Sequence, residues 1–460
     1  MWRQHHRLAR AGPEGRRVSD LGEPPAYRPG SAWRRRTGGL ARESVLGLAG
    51  AMTLRFEAET LIPGRGDPVR GGVVLVEDAT ISYAGPAAAA PATPEATTVR
   101  APVVMPGLWE CHGHFMGART LDFSRLPLEP MAVRGARAGA DLRAALDAGV
   151  TSVREVGGLG VYLARVVEEG RLAGPSIYAA GAILSTTGGH GDLHSYPLAW
   201  VADLGEAGGE LRLADGPAEC AKATREQLRR NAKVIKVCAS GGVLSEVDHP
   251  IHQQFTDAEL RAIVEVAGMA DRVVAAHCHG KPGIMAALAA GVRTIEHGTY
   301  LDEEAAAAMR EVGAIMVPTR TIIRDILDSK AAPDYAIAKL EALADQHAAA
   351  VALARESGVT VAMGTDLALS GSDLPVSWGR NGHELPLLGE CGFTPLEAIE
   401  TATANGPATL GPQAPKSGQL QPGYDADVLT LDADPLADLS VLADPTRITG
   451  VWKAGVRVKG

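Results

Sequence analysis

Short apolar runs alternate with longer helical patterns through the middle of this chain. Eight runs read as strands: residues 103–108, 150–156, 176–180, 234–239, 272–277, 294–297, 314–319 and 359–365. Between them lie helix-like stretches such as 128–148, 217–231, 256–270 and 333–357. Thr256 followed by Glu259 forms a capping box, the signature of a helix start. Strand then helix, eight times over, predicts a closed parallel (β/α)8 TIM barrel, an α/β fold that needs roughly 250 residues. The two ends read differently. Residues 53–58, 72–76 and 80–83 alternate in strand-like pieces separated by Gly, Pro and Asp turns, and 427–431 and 450–453 do the same around a turn at 434–435. Two β-rich ends around a long middle predict a small β-sandwich domain built from both termini. The expected division is a basic tail over 1–51, a β domain over 52–104 and 408–460, and a barrel over 105–407.

Composition sharpens this picture. Apolar residues make up 46% of the chain but aromatics only 4%, so a large core must be built mainly of Ala, Val, Leu and Ile. The net charge is −9. Residues 1–51 hold ten Arg against four acids, with Arg34, Arg35 and Arg36 in a row, and lack the apolar stretch of a secretory signal. They are expected to be a disordered tail, with Met52 as the natural start; a transit-type peptide or basic tether is the other reading. The body is therefore more acidic than the whole, at about −15, which argues against nucleic acid as a partner and for small molecules or dipeptides. Five scattered Cys (111, 220, 238, 278 and 391) form no CxxC pair, as expected for reduced thiols in a cytoplasmic enzyme. No apolar run approaches the roughly 18 residues of a membrane span.

In parallel barrels chemistry gathers at the C-terminal strand ends. The first strand runs into Cys111-His112-Gly113-His114, and residues two apart on a strand share a face, so both imidazoles aim at one point. The fourth carries Lys236 among apolar residues. That is costly unless the Lys reaches solvent at a strand tip, or has reacted with carbon dioxide to give a carbamate able to bridge two metals. The fifth ends in His277-Cys278-His279-Gly280, the sixth in Glu296-His297-Gly298, the eighth in Gly364-Thr365-Asp366. Imidazole and carboxylate suit zinc and its neighbours. Arg320 after strand seven and Tyr300 after His297 are candidate substrate contacts. Arg154 and Glu155 are expected to pair with each other, and His249 and His252 to face solvent.

The run Val104-Met105-Pro106-Gly107 into His112 and His114, then Lys236, His277, His297 and Asp366, resembles the amidohydrolase superfamily, as does Pro422-Gly423-Tyr424-Asp425-Ala426-Asp427-Val428. Thr186-Thr187-Gly188-Gly189-His190-Gly191-Asp192 and Ala239-Ser240-Gly241-Gly242-Val243 are more similar to one branch, that of zinc-dependent Xaa-Pro dipeptidases and carboxypeptidase-like and ochratoxinase-like amidohydrolases. The resemblance implies that His112, His114 and Asp366 hold one metal, His277 and His297 a second, and carboxylated Lys236 bridges them. It also implies a binuclear amidohydrolase, a metallopeptidase of the dipeptidase kind, in which a metal-bridging hydroxide attacks the amide of small peptides or N-acyl amino acids. In that reading Asp366 carries the proton, His190 donates to the developing oxyanion, and His279 touches substrate. Related enzymes are often homo-oligomers. Two other readings stand beside it: a cyclic-amide hydrolase like imidazolonepropionase, against which Lys236 argues, and a non-catalytic assembly protein of the same fold.

Overall fold

The computed structural model describes residues 53–460, so the expectations for residues 1–52 lie outside it. The chain opens with β1 (Thr53–Leu61), β2 (Val69–Glu77), β3 (Thr80–Pro86) and β4 (Thr97–Pro106). The middle carries β5 (Leu108–Ala118), β6 (Val150–Glu155), β7 (Ser176–Ala179), β8 (Ile183–Ser185), β9 (Leu211–Leu213), β10 (Ile235–Cys238), β11 (Val274–Cys278), β12 (Thr294–His297), β13 (Ile315–Val317), β14 (Thr360–Val361) and β15 (Leu367–Leu369). It closes with β16 (Val428–Leu431), β17 (Ile448–Lys453) and β18 (Val456–Lys459).

Both ends meet in one seven-stranded sheet, ordered β18-β17-β16-β4-β1-β2-β3. β1 pairs parallel with β4, and β16 antiparallel with β4, so the two termini are joined through β4. Phe56 on β1 meets Trp452 on β17 edge to face, ring centroids 4.8 Å apart. In a flat sheet those strands, three places apart, would stand about 14 Å from each other. The sheet therefore curls around its own apolar face.

The middle strands form two all-parallel sheets, β14-β13-β12-β11-β10-β8-β9 and β15-β5-β6-β7. Backbone hydrogen bonds tie them on both sides: Cys111 N–H donates to Met363 O, and Lys233 N–H donates to Ala179 O. Helices fill the connections, including Met131–Asp147, Pro217–Arg229, Asp257–Gly268 and Asp334–Glu356, close to the four expected stretches. Thr256 caps its helix through the reciprocal pair with Glu259. The core between sheets and helices is dominated by Ala, Val, Leu and Ile, with Phe115 stacked on Trp378 as a rare aromatic pair.

The first middle strand is displaced from its expected place. Residues 103–106 belong to β4 and the terminal sheet; the strand bearing the His pair is β5. Pro106, which has no N–H to donate, and Gly107 separate the two. A Cβ on Gly107 would sit 2.1 Å from Thr151 Oγ1, so the chain can turn there only with glycine. β8, β9, β15 and β18 were not anticipated. Each is only three or four residues long, too short to show a period. Among the described residues no helix is long and apolar enough to cross a membrane.

Candidate metal and active site

Six predicted ligand residues gather at one end of the parallel strands. His112 and His114 lie on β5 and Asp366 follows β14; their ligating atoms all lie within 4.8 Å of one another. His277 on β11, His279 just beyond it and His297 on β12 form a second such triad. The two abut, with the His112 and His297 ring centroids 5.0 Å apart. Lys236 on β10 is 2% exposed, with Nζ 3.5 Å from His112 Nε2. Burial pulls its pKa below the usual lysine range. The backbone at the strand ends is strained to make this arrangement: His297, Thr319 and Asp366 have φ of 69°, 57° and 62°, a left-handed region costing about 1–3 kcal/mol for such residues.

Hydrogen bonding decides which ring nitrogen faces inward. His114 Nδ1 lies 2.7 Å from Gly157 O, and a carbonyl can only accept, so Nδ1 carries the proton. The lone pair of His114 Nε2 then faces Asp366 Oδ1 at 3.0 Å. His112 Nδ1 donates to Glu296 Oε2 at 2.7 Å, which turns its Nε2 lone pair inward as well. His277 Nε2 donates to Gly241 O at 3.0 Å and leaves Nδ1 free. His297 and His279 hold their Nδ1 atoms against the hydroxyls of Thr319 and Thr299, both at 2.7 Å. The inward lone pairs of His112, His114 and His277 and the Asp366 carboxylate repel one another, and a cation among them would relieve that repulsion. Partners on the far nitrogen that fix the tautomer are typical of metal-binding imidazoles. The donor set therefore fits divalent metal ions.

Beneath the predicted ligands lies a network of buried charges not anticipated from the sequence. Glu296 is fully buried and accepts from Arg154 Nη2 at both oxygens, at 2.8 and 2.7 Å, besides His112. Burial pushes the Glu296 carboxyl up, but the Arg154 and His112 contacts outweigh it and hold it well below the usual carboxylate range. Arg154 thus pairs with Glu296 and not, as expected, with Glu155, whose Oε1 instead accepts from Gly160 N–H. Arg154 and Glu155 are sequence neighbours on one strand, so their side chains leave opposite faces. Glu110, also fully buried, binds His112 N–H, Thr365 N–H, the Thr365 hydroxyl and the Asn381 amide. It locks together the two segments that bring His112 and Asp366. Burial raises its carboxyl to about 7. A lone Glu in each of two apolar strands was the available signal for both.

A cavity of about 350 Å³ opens beside the ligands. His114, His190, Cys238 and Asp366 border it on the side of the His and Asp cluster, and Met116, Phe123, Leu126, Leu193, Leu244 and Ile322 supply apolar wall. His190 stacks on His277, centroids 4.2 Å apart. Its loop follows β8. Tyr300, His279 and Arg320 do not line the cavity. The Arg320 guanidinium is turned onto the helix Asp334–Glu356, where Nη1 donates to Ala344 O at 3.2 Å and lies 3.1 Å from His347 Nδ1. Arg320 is the first residue of the helix Arg320–Ser329, and that start carries its side chain into the protein rather than to the mouth. His249 and His252 are exposed, as expected.

The sequence and fold have close counterparts. The chain is 44% identical over 423 residues to ochratoxinase of Aspergillus niger, an alignment spanning 88% of this chain and 86% of that protein. The crystal structure of A. niger ochratoxinase superposes with a TM-score of 0.83 at 42% identity, covering 90% of this chain and 96% of that one. A prolidase crystallised with N-methylphosphonate-L-proline matches with a TM-score of 0.80 at 30% identity, over 89% of this chain and 100% of that one. Imidazolonepropionase of Nocardia farcinica is 28% identical over 402 residues, 84% of this chain and 91% of that protein. Residues 103–458 match the amidohydrolase family. The chain belongs to the amidohydrolase family and is a hydrolase of amide carbon–nitrogen bonds.

Proposed function

We propose that this enzyme is a binuclear, zinc-type amidohydrolase that cleaves the amide joining an apolar acyl group to an amino acid, in N-acyl amino acids and small peptides including Xaa-Pro dipeptides. The observation that carries this reading is the convergence of inward-facing imidazole lone pairs and Asp366 around buried Lys236, beside an apolar-walled cavity. His112, His114 and Asp366 would hold one ion, and His277 through Nδ1 with His297 the other. His279 lies close enough to His277 and His297 to share the second ion. Lys236, desolvated and therefore readily uncharged, would be the residue to take up carbon dioxide, and its carbamate would supply an anionic ligand between the two groups. Bound divalent ions would supply an acidified water and a polarised carbonyl.

The chain's own residues do the rest. Asp366 keeps 19% of its side chain exposed, at the cavity edge, where it can accept the proton of the attacking water and return it to the leaving amine. His190 borders the same space and contacts the substrate. Phe123, Leu126 and Leu244 hold the acyl group and exclude water from it. In domain terms, residues 108–407 would form the closed (β/α)8 barrel, and 53–106 with 408–460 a sandwich, the expected boundary at 105 moving because Met105 and Pro106 pair with β16; the curl between Phe56 and Trp452 supports this reading.

The similarity to imidazolonepropionase favours a second reading, cleavage of a cyclic amide. A substrate panel separates the two. The enzyme, reconstituted with zinc and bicarbonate, should turn over N-acyl amino acids with bulky apolar acyl groups faster than short acyl or cyclic substrates. Turnover of cyclic amides alone would reject the proposal.

A further inference from the structure

We infer that Ser245 and Asp248 are positioning residues that fix the tautomer of His190, resting on the role proposed for His190 above. His190 Nδ1 lies 2.8 Å from Ser245 Oγ, and Ser245 Oγ in turn donates its only proton to Asp248 Oδ1. With that proton spent, Ser245 can only accept from His190. Nδ1 therefore carries the hydrogen, and the Nε2 lone pair is the atom His190 offers a ligand. Among the described residues, no protein group hydrogen-bonds Nε2. A neutral His190 is thus an acceptor for a substrate donor, not the donor to an oxyanion that the resemblance implied.

Asp248 is well placed to impose this. Its other carboxylate oxygen accepts from Gly242 N–H at 2.8 Å and from the Gln254 amide at 3.0 Å, and Gln254 Oε1 accepts the backbone N–H of His190 at 3.0 Å. One carboxylate therefore reaches both the ring and the backbone of His190 through a single intermediate on each side. Lys339, from the helix Asp334–Glu356, fastens the segment by donating to the carbonyls of Gly242, Ser245 and Asp248 at 3.1, 2.7 and 2.7 Å. Gly242 completes the seat, since a Cβ there would lie 2.1 Å from His190 Nδ1. None of these groups is needed to form the barrel strands, yet together they hold one imidazole in one orientation.

The test is a mutant cycle on the metal-loaded full chain with a substrate it turns over. Ser245→Ala should lower kcat about 10–100-fold, the usual cost of losing a partner that orients a site residue, with metal content unchanged. Ser245→Thr, which keeps the hydroxyl, should restore most of it. His190→Asn should lower kcat as well, and the double variant should be no worse than His190→Asn alone. Nitrogen-15 spectra of the histidines should show the His190 signals, identified by their loss in His190→Asn, leaving the Nδ1–H tautomer in Ser245→Ala. Losses that add in the double variant, or an unchanged tautomer, would overturn the relay. Full activity in His190→Asn would instead remove the role of His190 itself.

Discussion

Replacing Glu296 by Gln is the sharpest probe of the network beneath the ligands. The substitution keeps shape and one acceptor for His112 Nδ1 but removes the charge facing Arg154. Arg154 cannot follow it out. Its side chain is fully buried, with Nε donating to Cys111 O at 2.6 Å and Nη1 to the Thr294 hydroxyl at 2.8 Å. A buried ion pair broken on one side costs about 3–5 kcal/mol, because the remaining charge is left uncompensated. Metal affinity should fall less, by about 10-fold, since the amide oxygen can still orient His112. Urea unfolding followed by tryptophan fluorescence reads the first quantity, with Trp109 and Trp378 both in the core; metal titration of the chelator-treated chain reads the second. The double variant Arg154→Met/Glu296→Gln should recover a large part of the lost stability, because it removes the stranded cation. A loss below about 0.5 kcal/mol in the single variant, the range of ordinary surface changes, would refute the account. So would a double variant whose loss equals the sum of the two single ones.

Three further outcomes test other parts of the structure. Lys236→Ala should lose bound metal together with activity, measured by elemental analysis after dialysis; two tightly held ions in that variant would exclude a bridging role. Gly242→Ala should cost kcat with little change in metal content, because the added methyl displaces the His190 ring; unchanged kcat would show that the ring has room. Asp141 is buried against the Ser370 hydroxyl and burial raises its pKa to about 7, so the folded chain keeps a proton that the unfolded chain loses near pH 4. Its contribution to stability thus falls as pH rises from about 4 to about 7, and Asp141→Asn should flatten that part of the pH–stability curve.

The fold was legible where apolar periodicity ran long enough to repeat. The helices Pro217–Arg229 and Asp334–Glu356 and the strand Thr294–His297 appear where their patterns placed them. Boundaries failed where two strands of different sheets follow each other without a polar break. Residues 103–118 form an almost continuous buried run, and only Pro106-Gly107 marks the passage from one sheet to the next. Short strands such as β8 and β15 are defined by their neighbours' hydrogen bonds, which no local pattern records.

The site divides along the same line. His112, His114, Lys236, His277, His297 and Asp366 were legible because polar groups in buried strands are expensive, and several at one end of a parallel sheet demand a common cause. Arg320 shows the limit of that logic. Its place after a strand was read correctly, yet its direction depends on the helix it begins and on His347, 27 residues further on. Glu110 and Glu296 show the converse. Each satisfies the same test of a charge in an apolar strand, and each holds proposed ligands in place while facing away from the site they form. What separates a ligand from the group that orients it is the partner on its far side. His114 and Glu296 both sit in strands, but His114 turns its Nε2 lone pair toward the Asp366 carboxylate at the cavity edge while Glu296 spends both oxygens on Arg154 and His112. That distinction is a property of three-dimensional hydrogen bonding. It explains why the residue types of the site could be read along the chain while their division of labour could not.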